Sequence, residues 1–243
     1  MPPLKLELPP LPGKPARCEE VKVAWRYLAG AHKSVSALFD ALHVLRVQEQ
    51  QAKNKGARGR LSQDQQDLLR AALGFTSSGL DACLRRLLRD ALPALVDGNK
   101  LAEKKFKQVT STKLDEKVPK ELREAILNRD TRQMIGLYAA DLAHSSLQDT
   151  SELTSVRDAI GITHSQLHDN RIDKLDSFFA ARNEIVHELD YIESTGRGIP
   201  SRRVREQAAV REQCSEVFVL AADLMFTTAD NLRRLRASRS KHS

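Results

Sequence analysis

DNRIDKLDSFFAARNEIVHELDYI, residues 169–192, carries apolar side chains at helical spacing. Ile172, Leu175, Phe179, Val186 and Leu189 fall on one stripe of a helix predicted from Asn170 to about Tyr191. The positions that should continue that stripe between Phe179 and Leu189 hold Arg182, Asn183 and His187. Burying such groups without partners costs roughly 2 kcal/mol or more each. The helix therefore needs a partner network, a cleft or a wet subunit interface at this point.

The same period runs outward through the chain. Towards the N-terminus, Trp25, Leu28, Val35, Leu38, Phe39, Leu42 and Leu45 recur at spacings of 3, 4 and 7, predicting a long helix from Cys18 that stops by Gly56. Ser62 is expected to cap a short helix ending at Gly74. Thr76 or Ser77 would cap the next, with the stripe Leu80, Leu84, Leu87, Leu88 and Leu92, disturbed by Pro93. Residues 99–120 are lysine-rich and read as a solvated helix and loop. Shorter helices follow from Pro119, Thr131 and Ser151. Towards the C-terminus, Ser201 is expected to cap a last helix reaching Ala237, with Val210, Cys214, Val217, Leu220, Leu224 and Thr228 inward.

Composition agrees with an all-α helical bundle carrying inserted short helices. Glycine and proline together are 20 of 243 residues, and six of the nine prolines lie before Ala16. A body so poor in turn formers cannot make the reversals of a sandwich or barrel. The chain reads as a proline-rich flexible leader (1–17), one all-α domain (18–237, with 99–165 as an elaboration) and a basic tail (238–243). No apolar run approaches a membrane span and no signal core is visible. Three scattered cysteines read as free thiols in a reducing, cytoplasmic setting. The net charge of +7 is compatible with a nucleic-acid partner.

The polar triple has its own chemistry. Asn183 and His187 are four apart and project side by side, and Arg182 can reach the same space on its long stem. A guanidinium stabilises phosphate charge through paired hydrogen bonds, and an imidazole moves protons near neutrality. Together they suit phosphodiester chemistry without a metal. The competing reading is a structural network within a non-catalytic helical binding module for a protein or nucleic acid.

Arg182-Asn183-Glu184-Ile185-Val186-His187 resembles the R-N-x-x-x-H signature of the HEPN superfamily (higher eukaryotes and prokaryotes nucleotide-binding). The stretch SSGLDACLRRLLRDALPALVDGNKLAEKKF, residues 77–106, is similar to the bacterial subgroup called RiboL-PSP-HEPN. The resemblance implies a four-helix core, and a homodimer that brings two signatures together. It further implies a metal-independent endoribonuclease with no cofactor, acting in toxin–antitoxin or antiphage defence. An antitoxin or regulatory protein would be a further partner. By position, Arg182 and His187 would be catalytic and Asn183 would orient the site. The 2′-hydroxyl of the ribose would attack the adjacent phosphate, leaving a 2′,3′-cyclic phosphate.

Other features are weighed beside it. Arg197, Arg202, Arg203 and Arg205 follow the signature closely and could hold RNA phosphates, or they could be a solvated helix start. Arg233, Arg234, Arg236, Arg239, Lys241 and His242 form a basic tail that would suit a nucleic-acid-binding regulator. His164 and His168, with Asp169 and Asp173 nearby, lack a third convincing metal ligand and read as a surface pair. Phosphate loops of Walker or Rossmann spacing and nucleophile-elbow motifs are absent.

Overall fold

Three long helices carry the interior: α1 (Glu19–Lys53), α2 (Gln63–Val96) and α9 (Gln207–Arg239). A computed structural model describes residues 5–15, 18–53, 60–115, 118–144, 149–192 and 201–240. Between α2 and α9 lie α3 (Lys100–Asp115), α4 (Lys120–Leu127), α5 (Thr131–His144), α6 (Thr150–Ala159), α7 (Asp169–Asp173) and α8 (Asp176–Glu188). The fold is all-α, and regular pairing among the described residues is confined to one isolated bridge, Tyr191 with Arg202.

Helix α2 is the spine. Ser62 caps it through the Gln65 amide, and the Gln65 side chain returns a bond to the Ser62 amide, a capping box. The expected stop at Gly74 does not occur, and α2 runs unbroken to Val96. Thr76, read from the sequence as a cap, instead folds its hydroxyl back onto the Ala72 carbonyl within the helix. Leu69, Leu73, Leu80, Leu84, Leu87, Leu88 and Leu92 are all buried along it, so burial on both sides of the glycine outweighs its propensity cost of about 1 kcal/mol. Gly79 has a packing reason. A Cβ there would stand 2.2 Å from Ala31 Cβ, so the missing side chain is what lets α1 and α2 close together.

On α1, Trp25, Leu28, Val35, Phe39 and Leu42 are buried as the period requires, whereas Leu45 is exposed. Trp25 meets Phe226 of α9 edge-on at 5.6 Å between ring centroids. All six inward positions expected on α9 are buried. Cys18, Cys83 and Cys214 are reduced and buried, and burial pushes the Cys214 thiol up to about 12.

Residues 5–15 differ from the flexible leader expected of them. Leu8 is buried and Leu11 packs against the core. The Pro9 carbonyl lies 2.8 Å from Nε2 of His32, whose ring stands edge-on to Phe218. Arg211 of α9 donates to the Glu7 carbonyl at 2.8 Å. Proline forbids helix here but leaves an extended strap whose carbonyls are free to accept. This strap ties α1 to α9.

The corner that follows α2 joins the start of α3 to the end of α6. Asn99 caps α3 by accepting from the Leu101 and Ala102 amides and donates to the Gly161 carbonyl. Gly161 has φ +68° and the Asn99 side chain within 2.7 Å of where a Cβ would sit, so only glycine fits this corner. Within the lysine-rich stretch, Ala102 and Phe106 of α3 are buried and Val109 packs against the core.

Candidate active site

The helix expected across 170–191 is two helices, α7 and α8, joined by a tight turn at Lys174 and Leu175. The Leu175 amide donates to the Ile172 carbonyl at 2.9 Å, which keeps both side chains inward at a spacing of three. Phe178, Phe179 and Ala181 continue the burial. Beyond them one side of α8 stays on the core through Ile185, and the other side projects. Val186 is 50% exposed and Leu189 is 61% exposed, so the second half of the expected stripe faces outward.

The triple stands on that projecting end. Arg182 donates to Asn183 Oδ1 at 2.8 Å, which turns the guanidinium towards the face shared by Asn183 and His187. Arg182 and Asn183 are half-buried and His187 is exposed. The His187 ring has no hydrogen-bond partner among the described residues. Tyr191, Ile192 and Val204 add exposed apolar surface after the signature. The polar groups do not need a buried network, because they are not buried.

What ends α8 was not foreseen. Leu189 and Asp190 both adopt left-handed backbone, with φ of 50° and 64°. The reversal throws Leu189 outward and drives Asp190 into the interior, where it is fully buried. There Arg70 Nε donates to Asp190 Oδ2 at 2.8 Å, and Arg205 reaches the same carboxylate at 2.5 and 3.2 Å. Burial pushes the Asp190 carboxyl up, but Arg205 and Arg70 outweigh it and hold the group below its ordinary value. Each arginine is further satisfied. Arg70 donates to Asp67 and the Arg203 carbonyl, and Arg205 to Glu184 and the Ala181 carbonyl.

This cluster docks the returning chain. The Ile192 amide donates to the Ser201 carbonyl and the Arg203 amide to the Asp190 carbonyl, both at 2.8 Å. Gln66 of α2 clamps Arg205 from both sides, accepting from its amide and donating to its carbonyl. Residues 201–206 are thus extended, and the last helix starts at Gln207 rather than after Ser201.

The four arginines proposed for RNA have unequal fates. Arg205 is spent on Asp190 and Glu184, and is 15% exposed. Arg202 bonds Asp67 and the Leu189 carbonyl and lies over the Tyr191 ring. Arg203 approaches Glu184 through Nε alone at 3.4 Å. Arg197 lies outside the described residues. The sequence could not reveal Asp190 as the organiser, since Arg70 lies 120 residues away.

The basic tail divides likewise. Arg236 pairs with Glu20 of α1, and Arg239 donates to the Asp97 carbonyl. Lys241 and His242 lie outside the described residues. His164 and His168 stand edge-on at 5.0 Å, and Asp169 beside them is engaged by Arg157. No group of three potential metal ligands forms among the described residues. Nor is any described helix long and apolar enough to cross a membrane. Comparison with protein-family models, curated proteins and solved structures finds no match to this chain.

Proposed function

We propose that this chain is a metal-independent endoribonuclease of the HEPN type. One observation carries the reading: the Arg182–Asn183 pair and His187 share the exposed end of a helix otherwise anchored in the core. Half-buried and exposed side chains at that position can meet a large polyanionic substrate. The half-buried Arg182 spends one terminal nitrogen on Asn183 and keeps its other donors for a phosphodiester, and an exposed imidazole can exchange protons. The 2′-oxygen forms a bond to phosphorus as the bond to the 5′-oxygen breaks. His187 assists the proton transfers, Arg182 stabilises the charge gathering on the phosphoryl oxygens, and Asn183 holds the guanidinium in place.

The exposed Val186, Leu189, Ile192 and Val204 around the triple support a composite site at a homodimer interface. A role as toxin or antiphage effector follows from the same resemblance. The experiment is incubation of purified protein with RNA in EDTA, beside Arg182→Ala and His187→Ala. Cleavage by the wild type giving cyclic phosphate ends, and its loss in both variants, is expected. Equal cleavage by all three proteins would sink the assignment.

A further inference from the structure

Beside the projecting end of α8 lies a cleft of about 500 Å³, between the start of α2 and the extended residues 201–204. Four arginines line it, Arg60, Arg70, Arg202 and Arg203, and no acidic residue does so among the described residues. Their donors are unequally committed. All of the Arg70 nitrogens are engaged, by Asp190, Asp67 and the Arg203 carbonyl. Arg202 uses Nε and one terminal nitrogen, leaving the other without a partner. Arg203 touches Glu184 through Nε only, leaving both terminal nitrogens. Arg60 has no partner among the described residues. Residues with uncommitted guanidinium donors, from two separate chain segments, therefore line one concavity.

We infer that this cleft binds backbone phosphates of the RNA strand whose cleavage is proposed for the neighbouring triple. The inference rests on that reading for the strand, and on the cleft alone for the phosphate. Guanidinium forks match phosphate oxygens in geometry and charge. Two contacts place the cleft next to the triple. Glu184, the neighbour of Asn183, pairs with Arg203, and the carbonyl of Leu189, two residues past His187, accepts from Arg202. A strand lying over His187 would continue directly into this cleft. The pre-positioning of Arg202 and Arg203 by Asp67, Glu184 and the Asp190 cluster lowers the ordering cost of binding.

The test separates binding from cleavage by working in the His187→Ala protein with EDTA. Fluorescence anisotropy with an end-labelled single-stranded RNA measures affinity across a salt series. Adding Arg60→Ala and Arg203→Ala should weaken binding at least tenfold. It should also flatten the slope of log K against log salt by about 1.4, the amount for two phosphate contacts on a single strand. Pyrophosphate should compete with RNA in the parent and lose that effect in the doubly altered protein. Arg132→Ala, on the exposed start of α5, should change neither quantity. Circular dichroism melting confirms that the variants fold. Unchanged affinity and slope in the Arg60 and Arg203 variant would overturn the inference, as would pyrophosphate competition that survives it. If RNA binds with these dependences but the wild type never cleaves, the nuclease reading fails and the cleft stands. If the wild type cleaves and the cleft variant binds and cleaves equally well, the reverse holds.

Discussion

Replacing Asp190 by asparagine keeps size, shape and tolerance of the left-handed backbone while removing the charge. Three charge-assisted hydrogen bonds from Arg70 and Arg205 end on this carboxylate, and it has no exposure to solvent. Removing one partner from a buried ion pair costs about 3–5 kcal/mol, since the remaining charge stays desolvated. The lower end applies here. Arg70 retains Asp67 and the Arg203 carbonyl, and Arg205 retains Glu184 and the Ala181 carbonyl. The expected loss is therefore about 3 kcal/mol, or roughly 6–12 °C in Tm for a chain of this size. Urea unfolding and thermal melting measure it. Asp67→Asn is the internal comparison: its carboxylate is half-exposed, and the loss should stay under about 1 kcal/mol. Hydrogen exchange should show the amides of Ile192, Arg203 and Arg205 opening in the Asp190 variant before the core amides do. If Asp190→Asn cost no more than Asp67→Asn, the buried cluster would not be what docks residues 201–206.

Four further outcomes follow from the same structure. Acid should erase the advantage of the native chain over Asp190→Asn. With its folded pKa depressed, Asp190 contributes fully above its ordinary value of 3.8, and loses that contribution as the pH falls through the lower folded value. The gap between the two proteins should be flat from pH 7 to 5 and close below about 4; a gap constant to pH 2 would contradict this. Gly79→Ala should destabilise by about 1–3 kcal/mol through its clash with Ala31, and Ala31→Gly in the same chain should restore most of the loss, as a double-mutant cycle will show. Leu8→Ala should lower stability by about 2 kcal/mol in urea, an effect that a mobile leader would not give. His187→Ala should shift stability by no more than about 0.5 kcal/mol, because its ring is exposed, while abolishing RNA cleavage; a loss above 1 kcal/mol would favour a structural role.

Helical period made α1, α9, the two halves of α2 and their inward residues legible, because burial and spacing agree at Leu28, Leu84 and Leu220. Local rules failed where a distant partner decided the outcome. Gly74 reads as a stop, yet the leucines on both sides of it meet α1 and α9 and carry α2 through. Pro9 and Pro10 read as loose chain, yet His32, Phe218 and Arg211 receive the strap. On the stripe, Leu189 looked like a core residue, and nothing marked its neighbour Asp190 for burial. Two arginines that need a buried counter-ion exchanged their places. The triple was visible as an interruption in the stripe, but its exposure was not, since that depends on where α8 loses its neighbours.

The three buried cysteines have a practical bearing on all of this. A thiol shut in the interior and held protonated at neutral pH offers no thiolate to alkylating or oxidising reagents. The folded chain is therefore chemically silent at its thiols, and labelling by a maleimide becomes a clock for unfolding. One cysteine introduced at Val186 would then be the sole reactive thiol of the native protein. A label there would report whether that surface meets water, a strand of RNA or a second copy of the chain.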